Sequence, residues 1–310
     1  MSLLGHDLFP MGFGCGPLGV HGFGDVDIVE CRKAATLAAE QGVNFFDTSD
    51  AYGRGVSEEQ LAQALGPLRK NILISTKGGI RFDGQGKVFY DCSVPWLEQA
   101  MDASLRRLKT DFIDLYQLHY WDRKTPLEDI FSFFERCCEK GKIGGYGVSN
   151  LDLSGRSKSF FASFPNFQSH SEEFSMVHQN CAAQIDAMVN IVPSCLFLAT
   201  GVLAQGLLSG KYNDRASFGD NDRRAKSHYT NFSDRKIALT RPLIALMQKE
   251  NISPVSIAAA WVARTLPNGL PLVGIKSRTH LSDLMQAAAL LNSDMDWTEI
   301  DREVRKFGKR

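Results

Sequence analysis

Asp47, Tyr52, Lys77 and His119 bring together a carboxylate, a phenol, an ammonium and an imidazole. Asp47, Lys77 and His119 each close a short apolar stretch that reads as a strand, and Tyr52 lies five residues past Asp47 in a loop. If those strands are parallel neighbours, the four side chains meet at one mouth and can protonate a carbonyl oxygen. A free tyrosine has a pKa near 10, about three units too high for ready proton exchange at neutral pH. An adjacent ammonium stabilises the phenolate and lowers that value. A carboxylate keeps the ammonium charged and oriented, which assigns Asp47 to Lys77. An imidazole beside the phenol can orient the carbonyl and share the proton. Taken singly, these residues have ordinary readings as a loop aromatic, a solvated lysine and a rim histidine. Their arrival at consecutive strand ends makes coincidence a poor account.

Elements that would hold such a set recur along the chain. Strands are expected to begin near Met11, Asn44, Ile72, Phe112, Ile143, Asn166, Cys195 and Leu272. Several are short apolar runs, as strands buried on both faces should be. Helical patterning fills the intervals: Asp27 to Gln41, Ser57 to Leu65, Ser93 to about Leu108 and Leu127 to Lys140, then His178–Ile191, Asp234–Glu250, Ser253–Leu266, Thr279–Leu290 and Thr298–Phe307. Asp27 stands three before Glu30 as a capping box variant, and Gly42, Gly66-Pro67 and Gly141 supply stop signals. Eight strand–helix repeats imply an α/β fold, a (β/α)8 TIM barrel with a parallel eight-stranded sheet, spanning residues 1–310 as one domain. After the seventh strand the spacing breaks for a loop, Gly201 to Ser233, rich in Gly, Asp, Asn, Arg and Ser, and then an extra helix. Loops of that length are usually functional or disordered.

The chain resembles an aldo-keto reductase at Gly42-Val43-Asn44-Phe45-Phe46-Asp47-Thr48-Ser49-Asp50-Ala51-Tyr52-Gly53, Ser57-Glu58, Ser75-Thr76-Lys77 and Asp114-Leu115-Tyr116-Gln117-Leu118-His119. It is similar again at Gly141-Lys142-Ile143-Gly144-Gly145-Tyr146-Gly147-Val148-Ser149-Asn150 and Leu207-Leu208-Ser209-Gly210-Lys211. The resemblance runs in order over nearly the whole chain. It implies a TIM barrel that binds NADP(H) at its C-terminal face and passes hydride to an aldehyde or ketone, or the reverse. It implies Tyr52 as general acid/base, Lys77 as the group that lowers its pKa, Asp47 as partner of Lys77, and His119 as the residue that positions the carbonyl. Ser149 and Asn150 match the positions that hold the carboxamide, and Phe174 the aromatic that stacks on the nicotinamide. Gly206, Leu208, Gly210 and Lys211 match a segment that folds over the pyrophosphate, making the long loop a cofactor clamp. Gly274, Lys276, Ser277 and Arg278 follow the eighth strand, where barrels often bind phosphate. Their charge and donors suit a 2′-phosphate and favour NADP over NAD.

The chain also departs from the pattern. Ser171 stands where the family has Gln in the sixth-strand motif, and Gln168 is the nearest glutamine. Leu284 replaces an Asn that touches adenine, and Val202 replaces a Pro before the clamp. The tail after Trp297 is short, implying an open pocket. Tyr120 and Trp121 follow the fourth strand and are expected in the pocket wall, with Cys15 at the end of the first as a further pocket residue.

Composition narrows the alternatives. Lys+Arg and Asp+Glu both number 35, so nothing in bulk charge draws the chain to nucleic acid or an anionic membrane. No apolar run has the length of a membrane span, and the N-terminus lacks the basic and long apolar regions of a signal peptide. The seven cysteines are odd in number and contain no CxxC, which reads as reduced thiols in a cytoplasmic protein. No HExxH or His/Cys cluster of zinc spacing points to a metal. Gly14-Cys15-Gly16-Pro17-Leu18-Gly19 satisfies GxGxxG, but Pro17, Gly22 and Gly24 continue a loop where a Rossmann turn needs a helix. The partner expected is a small carbonyl or alcohol substrate, sugars included. The competing reading is a cofactor-sensing subunit similar to potassium-channel β subunits. Oligomeric state is not readable.

Overall fold

The computed structural model describes residues 1–212, 217–225, 232–266 and 268–308. Eight parallel strands close on one another: β1 (Gly12–Gly14), β2 (Phe45–Asp47), β3 (Leu73–Gly78), β4 (Ile113–Leu118), β5 (Ile143–Ser149), β6 (Phe167–Glu173), β7 (Leu196–Thr200) and β8 (Gly269–Gly274). Each pairs with its successor, and β8 pairs with β1 through Leu272–Gly12, Val273–Phe13 and Gly274–Gly14. The expected eight-stranded barrel is therefore the observed one, with every strand within a few residues of its expected start.

Among the described residues, ten α-helices cover the outside: α1 (Ile28–Glu40), α2 (Val56–Leu65), α3 (Val94–Leu108), α4 (Leu127–Glu139), α5 (Lys158–Ala162), α6 (Ala182–Ile191), α7 (Asp234–Gln248), α8 (Pro254–Thr265), α9 (Arg278–Leu290) and α10 (Thr298–Val304). Asp27 caps α1, its carboxylate accepting from the N–H of Val29 at 2.9 Å and of Glu30 at 3.1 Å. Ser57 does not cap α2, which starts one residue earlier from a left-handed Gly55. Its buried hydroxyl is diverted to Cys15 O at 2.7 Å and Thr48 Oγ1 at 2.8 Å, tying α2 to the barrel mouth. The sixth helix begins at Ala182 because residues 175–178 are spent on a turn, with Ser175 and His178 bonded to each other.

Two apolar clusters follow from the alternation along the strands. Phe45, Leu73, Leu115, Leu196, Leu198, Leu270 and Leu272 fill the barrel, and the larger cluster lies between strands and helices. Complete burial of one leucine contributes about 1.5–3 kcal/mol. The base of the barrel is closed by an antiparallel pair, Ser2–Leu3 with His6–Asp7, whose Leu3 and Leu4 reach that interior cluster. Alternation that short gives no strand signal in the sequence. A second hairpin, Ile80–Phe82 with Val88–Tyr90, rises from the loop after β3. No helix among the described residues is long and apolar enough to cross a membrane. Within the Gly201–Ser233 insertion, 213–216 and 226–231 lie outside the described residues.

Candidate active site

Strands β2, β3 and β4 lie side by side, with Asp47 opposite Ser75 and Lys77 opposite Gln117. Asp47 and Lys77 thus rise from the top of the barrel interior, 3% and 1% exposed. Lys77 Nζ donates to both Asp47 oxygens, at 2.7 and 2.6 Å, and to Thr48 O at 2.8 Å. The carboxylate also accepts from Ser75 Oγ at 3.0 Å, and Gln117 Nε2 braces that serine at 2.7 Å. A buried ion pair needs such added hydrogen bonds to offset its desolvation. Ser75 and Gln117 were visible only as letters within strand motifs; their inward register is what marks them as supports.

Lys77 Nζ lies 5.5 Å from the centre of the Tyr52 ring, and the His119 ring meets Tyr52 edge-on at 6.0 Å. The four expected residues therefore converge. Burial lowers the Lys77 pKa, but Asp47 and Tyr52 outweigh it and the net shift is upward, so the ammonium stays charged. Burial raises the Tyr52 pKa and Lys77 pulls it back, leaving it above its ordinary value. The expected net lowering of Tyr52 does not occur: desolvation of the phenolate exceeds the pull of the ammonium. The pKa of His119 falls well below the usual imidazole range, through burial and then Lys77, so the ring is neutral. His119 Nδ1 is 3.0 Å from Ser49 Oγ, and Nε2 makes no hydrogen bond among the described residues.

Tyr52 is held by a backbone approach between two loops. Gly53 has φ +61°, and a Cβ there would meet Gly19 O at 2.3 Å; one on Gly19 would meet Tyr52 C at 2.7 Å. Gly19, in the glycine-rich stretch after β1, is therefore a packing surface for the Tyr52 loop. We expect Gly53→Ala to lower kcat much more than it raises cofactor Kd, because it displaces the phenol; steady-state kinetics with a cofactor titration read this.

The expected cofactor residues divide. Gly206, Lys211, Gly274 and Lys276 line a cavity of about 330 Å³ beside the barrel mouth. Leu208 is fully buried and Gly210 packs near Gln248, Pro254 and Ile244. Ser149 and Asn150 lie next to His119: Asn150 Nδ2 donates to Ser149 Oγ at 2.8 Å and to His119 O at 3.3 Å. Ser277 caps α9, accepting from His280 N. Arg278 points away to Glu30, with Nε 2.9 Å from Oε1, and is 60% exposed.

Two expectations are corrected by one irregularity. The pairing of β5 with β6 shifts register between Phe167 and Ser169, leaving Gln168 as a bulge. Gln168 sits low on its strand, its Cγ near Gly145, which is also close to Leu4 of the basal hairpin. It is at the far end of the barrel from His119 and cannot serve a site at the mouth. Phe174 is 3% exposed and stacks on Trp261 of α8 at 6.0 Å, in the layer between barrel and helices. Its ring is already covered. Ser171, opposite Ser149, has a buried Oγ with no hydrogen-bond partner among the described residues.

Around the mouth, Tyr120 stacks on His119 at 5.1 Å and on Tyr90 at 4.9 Å. Trp121 is partly buried, its Nε1 donating to Thr125 O at 2.8 Å. Cys15 is fully buried, its thiol pKa pushed well up by burial and then by Asp47, so it packs and does not face the pocket.

Sequence reading missed the strap over the cavity. Asp222 bridges Gly22 and Phe23, Gly24 N donates to Asn221 O, and Lys276 Nζ donates to Phe23 O. Arg224 binds Asp222 through Nε at 2.9 Å, and Gln205 O and Tyr212 Oη through Nη1, both at 3.1 Å. Arg223 lies over the Phe23 ring at 4.5 Å. Lys211, Arg223, Arg224 and Lys276 line this cavity, with Asp283 the one carboxylate among its lining residues. Desolvation, then Arg224, lowers the Lys276 pKa, the mark of a cation crowded by cations. The basic residues in the insertion were the available signal.

A model of the aldo/keto reductase family matches residues 10–305. The NADP(+) aldo-keto reductase yakc of Schizosaccharomyces pombe is 28% identical over 96% of this chain and 89% of its own length. An uncharacterised oxidoreductase of the same organism is 31% identical over 94% and 86%. Among solved structures, a glycerol dehydrogenase of Gluconobacter oxydans superposes with a TM-score of 0.83 at 24% identity, over 99% of this chain and 94% of that one. An aldo/keto reductase of Klebsiella pneumoniae in complex with NADP and acetate gives 0.69 at 22%, over 97% and 92%. At those identities the structures establish the shared fold.

Proposed function

The chain belongs to the aldo/keto reductase family, and from that premise we propose that it interconverts an aldehyde or ketone and an alcohol with NADP(H), using Tyr52 as general acid/base. The observation that carries this is the Lys77 ammonium, buried on Asp47 and facing the Tyr52 ring. Bound cofactor supplies or accepts the hydride. Every other role falls to the chain.

In reduction, Tyr52 donates its phenolic proton to the carbonyl oxygen as that oxygen gains charge. Its raised pKa keeps the proton in place through neutral pH, and Lys77 limits the cost of the phenolate left behind. A neutral His119 offers one nitrogen to the same oxygen. In oxidation the phenolate, stabilised by Lys77, takes the alcohol proton. Tyr120 and Tyr90 supply an aromatic face beside His119, suited to the flat or apolar side of a polar carbonyl compound such as a sugar.

The residues fit an NADP(H) dinucleotide. Four cations and the cavity wall suit a pyrophosphate and a further phosphate, and Gln205 Oε1, which lines the cavity, is buried without a partner among the described residues. Ser149, Asn150 and the unpartnered Ser171 hydroxyl would hold the carboxamide. Serine thus replaces the glutamine of the family pattern with a shorter donor. Lys276 and Ser277 stand at the N-terminus of α9, a favourable place for the 2′-phosphate. Arg278, exposed and paired with Glu30, contributes little in its present position. We expect Lys276→Ala to weaken NADPH more than NADH in parallel fluorescence titrations. Equal loss of both nucleotides would reassign the lysine to general electrostatics. The wider test is cofactor oxidation across a carbonyl panel with both nucleotides.

A further inference from the structure

At the Nδ1 edge of His119 stands a second set of proton-carrying groups. Ser49 is fully buried and its Oγ is 3.0 Å from His119 Nδ1. The same oxygen is 3.2 Å from Asp50 Oδ1 and accepts the N–H of Ala51 at 3.1 Å. Asp50 is tied down by its own N–H, which donates to Lys77 O. The groups facing its carboxylate are Glu58 on α2, Arg107 on α3 and the Tyr116 phenol on β4. Arg107 is already committed to Glu58, with Nε 2.6 Å from Oε2. Thr76 fills the other Glu58 oxygen at 2.6 Å. Asp50 is therefore a partly buried acid without a dedicated cation, connected through one hydroxyl to the imidazole at the mouth.

We propose that Asp50, Ser49 and His119 form a proton relay into the active site, with Asp50 and Ser49 as positioning residues that decide whether His119 Nε2 is a donor or an acceptor. This rests on the reductase reading of the mouth. The proton balance is closed. When Asp50 is protonated, its O–H donates to Ser49 Oγ, the Ser49 hydroxyl donates to Nδ1, and the ring proton sits on Nε2. As Nε2 gives that proton to the Tyr52 phenolate left after the carbonyl oxygen is protonated, the Ser49 proton passes to Nδ1 and the Asp50 proton to Ser49. The end state has an Asp50 carboxylate accepting from Ser49, a proton on Nδ1 and a bare Nε2. One proton has moved from Asp50 to the mouth, and Ser49 keeps three hydrogen bonds throughout. The protonated state arms reduction by presenting a donor to the carbonyl; the ionised state arms oxidation by presenting an acceptor to the alcohol. Two features allow the exchange. His119 is neutral, so one nitrogen is always free to accept. Burial, then Glu58, pushes the Asp50 carboxyl up to about 7, so both of its states are populated near neutrality. The Ser49–Asp50 contact is at the long end for a hydrogen bond, as relay contacts often are before substrate tightens them.

The test is made on the full chain labelled with 15N-histidine. The His119 resonances, identified by their loss in His119→Gln, report which ring nitrogen carries the proton. The tautomer should change from Nε2–H to Nδ1–H as Asp50 ionises. Over the same range kcat for reduction should fall tenfold per pH unit while kcat for oxidation rises by the same ionisation. Ser49→Ala should freeze the tautomer and remove that ionisation from both profiles. Asp50→Asn should remove it while keeping the shape of the loop, so a misfolded serine variant does not decide the matter. A single His119 tautomer throughout the titration in the native chain, or an unchanged crossing of the two profiles in Asp50→Asn, overturns the relay. Tautomer exchange without turnover on any carbonyl would leave the relay standing and remove the reductase reading instead.

Discussion

Tyr52→Phe should lower kcat by about two to four orders of magnitude, the usual worth of a positioned proton donor, while NADPH affinity is retained. The substitution removes one oxygen. The ring still packs edge-on to His119 and over Lys77, so the mouth keeps its shape. The cavity that would take the phosphates is lined by residues of other loops and feels nothing directly. A loss of kcat with unchanged cofactor Kd therefore isolates the proton. Near-native turnover would move the acid to His119 or to solvent and end the role assigned to Tyr52.

Lys77→Met should be the most destabilising single change at the site, by about 3–5 kcal/mol in chemical denaturation, and should also abolish turnover. The size follows from what remains behind. Asp47 is 3% exposed and accepts from Ser75 as well, but the ammonium supplies a hydrogen bond to each of its two oxygens, while the ammonium's third goes to Thr48 O. Removing the cation leaves a carboxylate buried without a counter-charge. Pairing the change with Asp47→Asn should return part of the lost stability, since no charge is then stranded, without returning activity. A double variant no more stable than Lys77→Met would mean that the damage is packing and not electrostatics.

The barrel was legible because its strands are short apolar runs closed by polar residues. Leu73-Ile74 leading to Lys77 and Leu115 leading to His119 show both the strand and where it ends. The tetrad was legible for the same reason, since each member marks a strand end or the loop after it. Phe174 and Gln168 were misplaced because one extra residue in β6 changes which side chains face the mouth, and nothing in the local letters announces a bulge. The strap was missed because its partners are far apart in sequence: Asp222 meets Gly22, and Lys276 meets Phe23, across the top of the barrel. The upward shift of Tyr52 depends on how deeply the mouth is buried, which no spacing reveals. Ser49 and Asp50 stand within the motif around Asp47 and Tyr52, and only the fold brings them to the Nδ1 edge of His119.

The most direct measurement is NADPH oxidation by the native chain against a panel of aldehydes, ketones and sugars, with the product quantified in the same samples. The expected result is loss of reduced cofactor matched one for one by alcohol, absent in Tyr52→Phe. Tight NADPH binding with no alcohol formed from any member of the panel would contradict the account and favour a cofactor-sensing role for the same site.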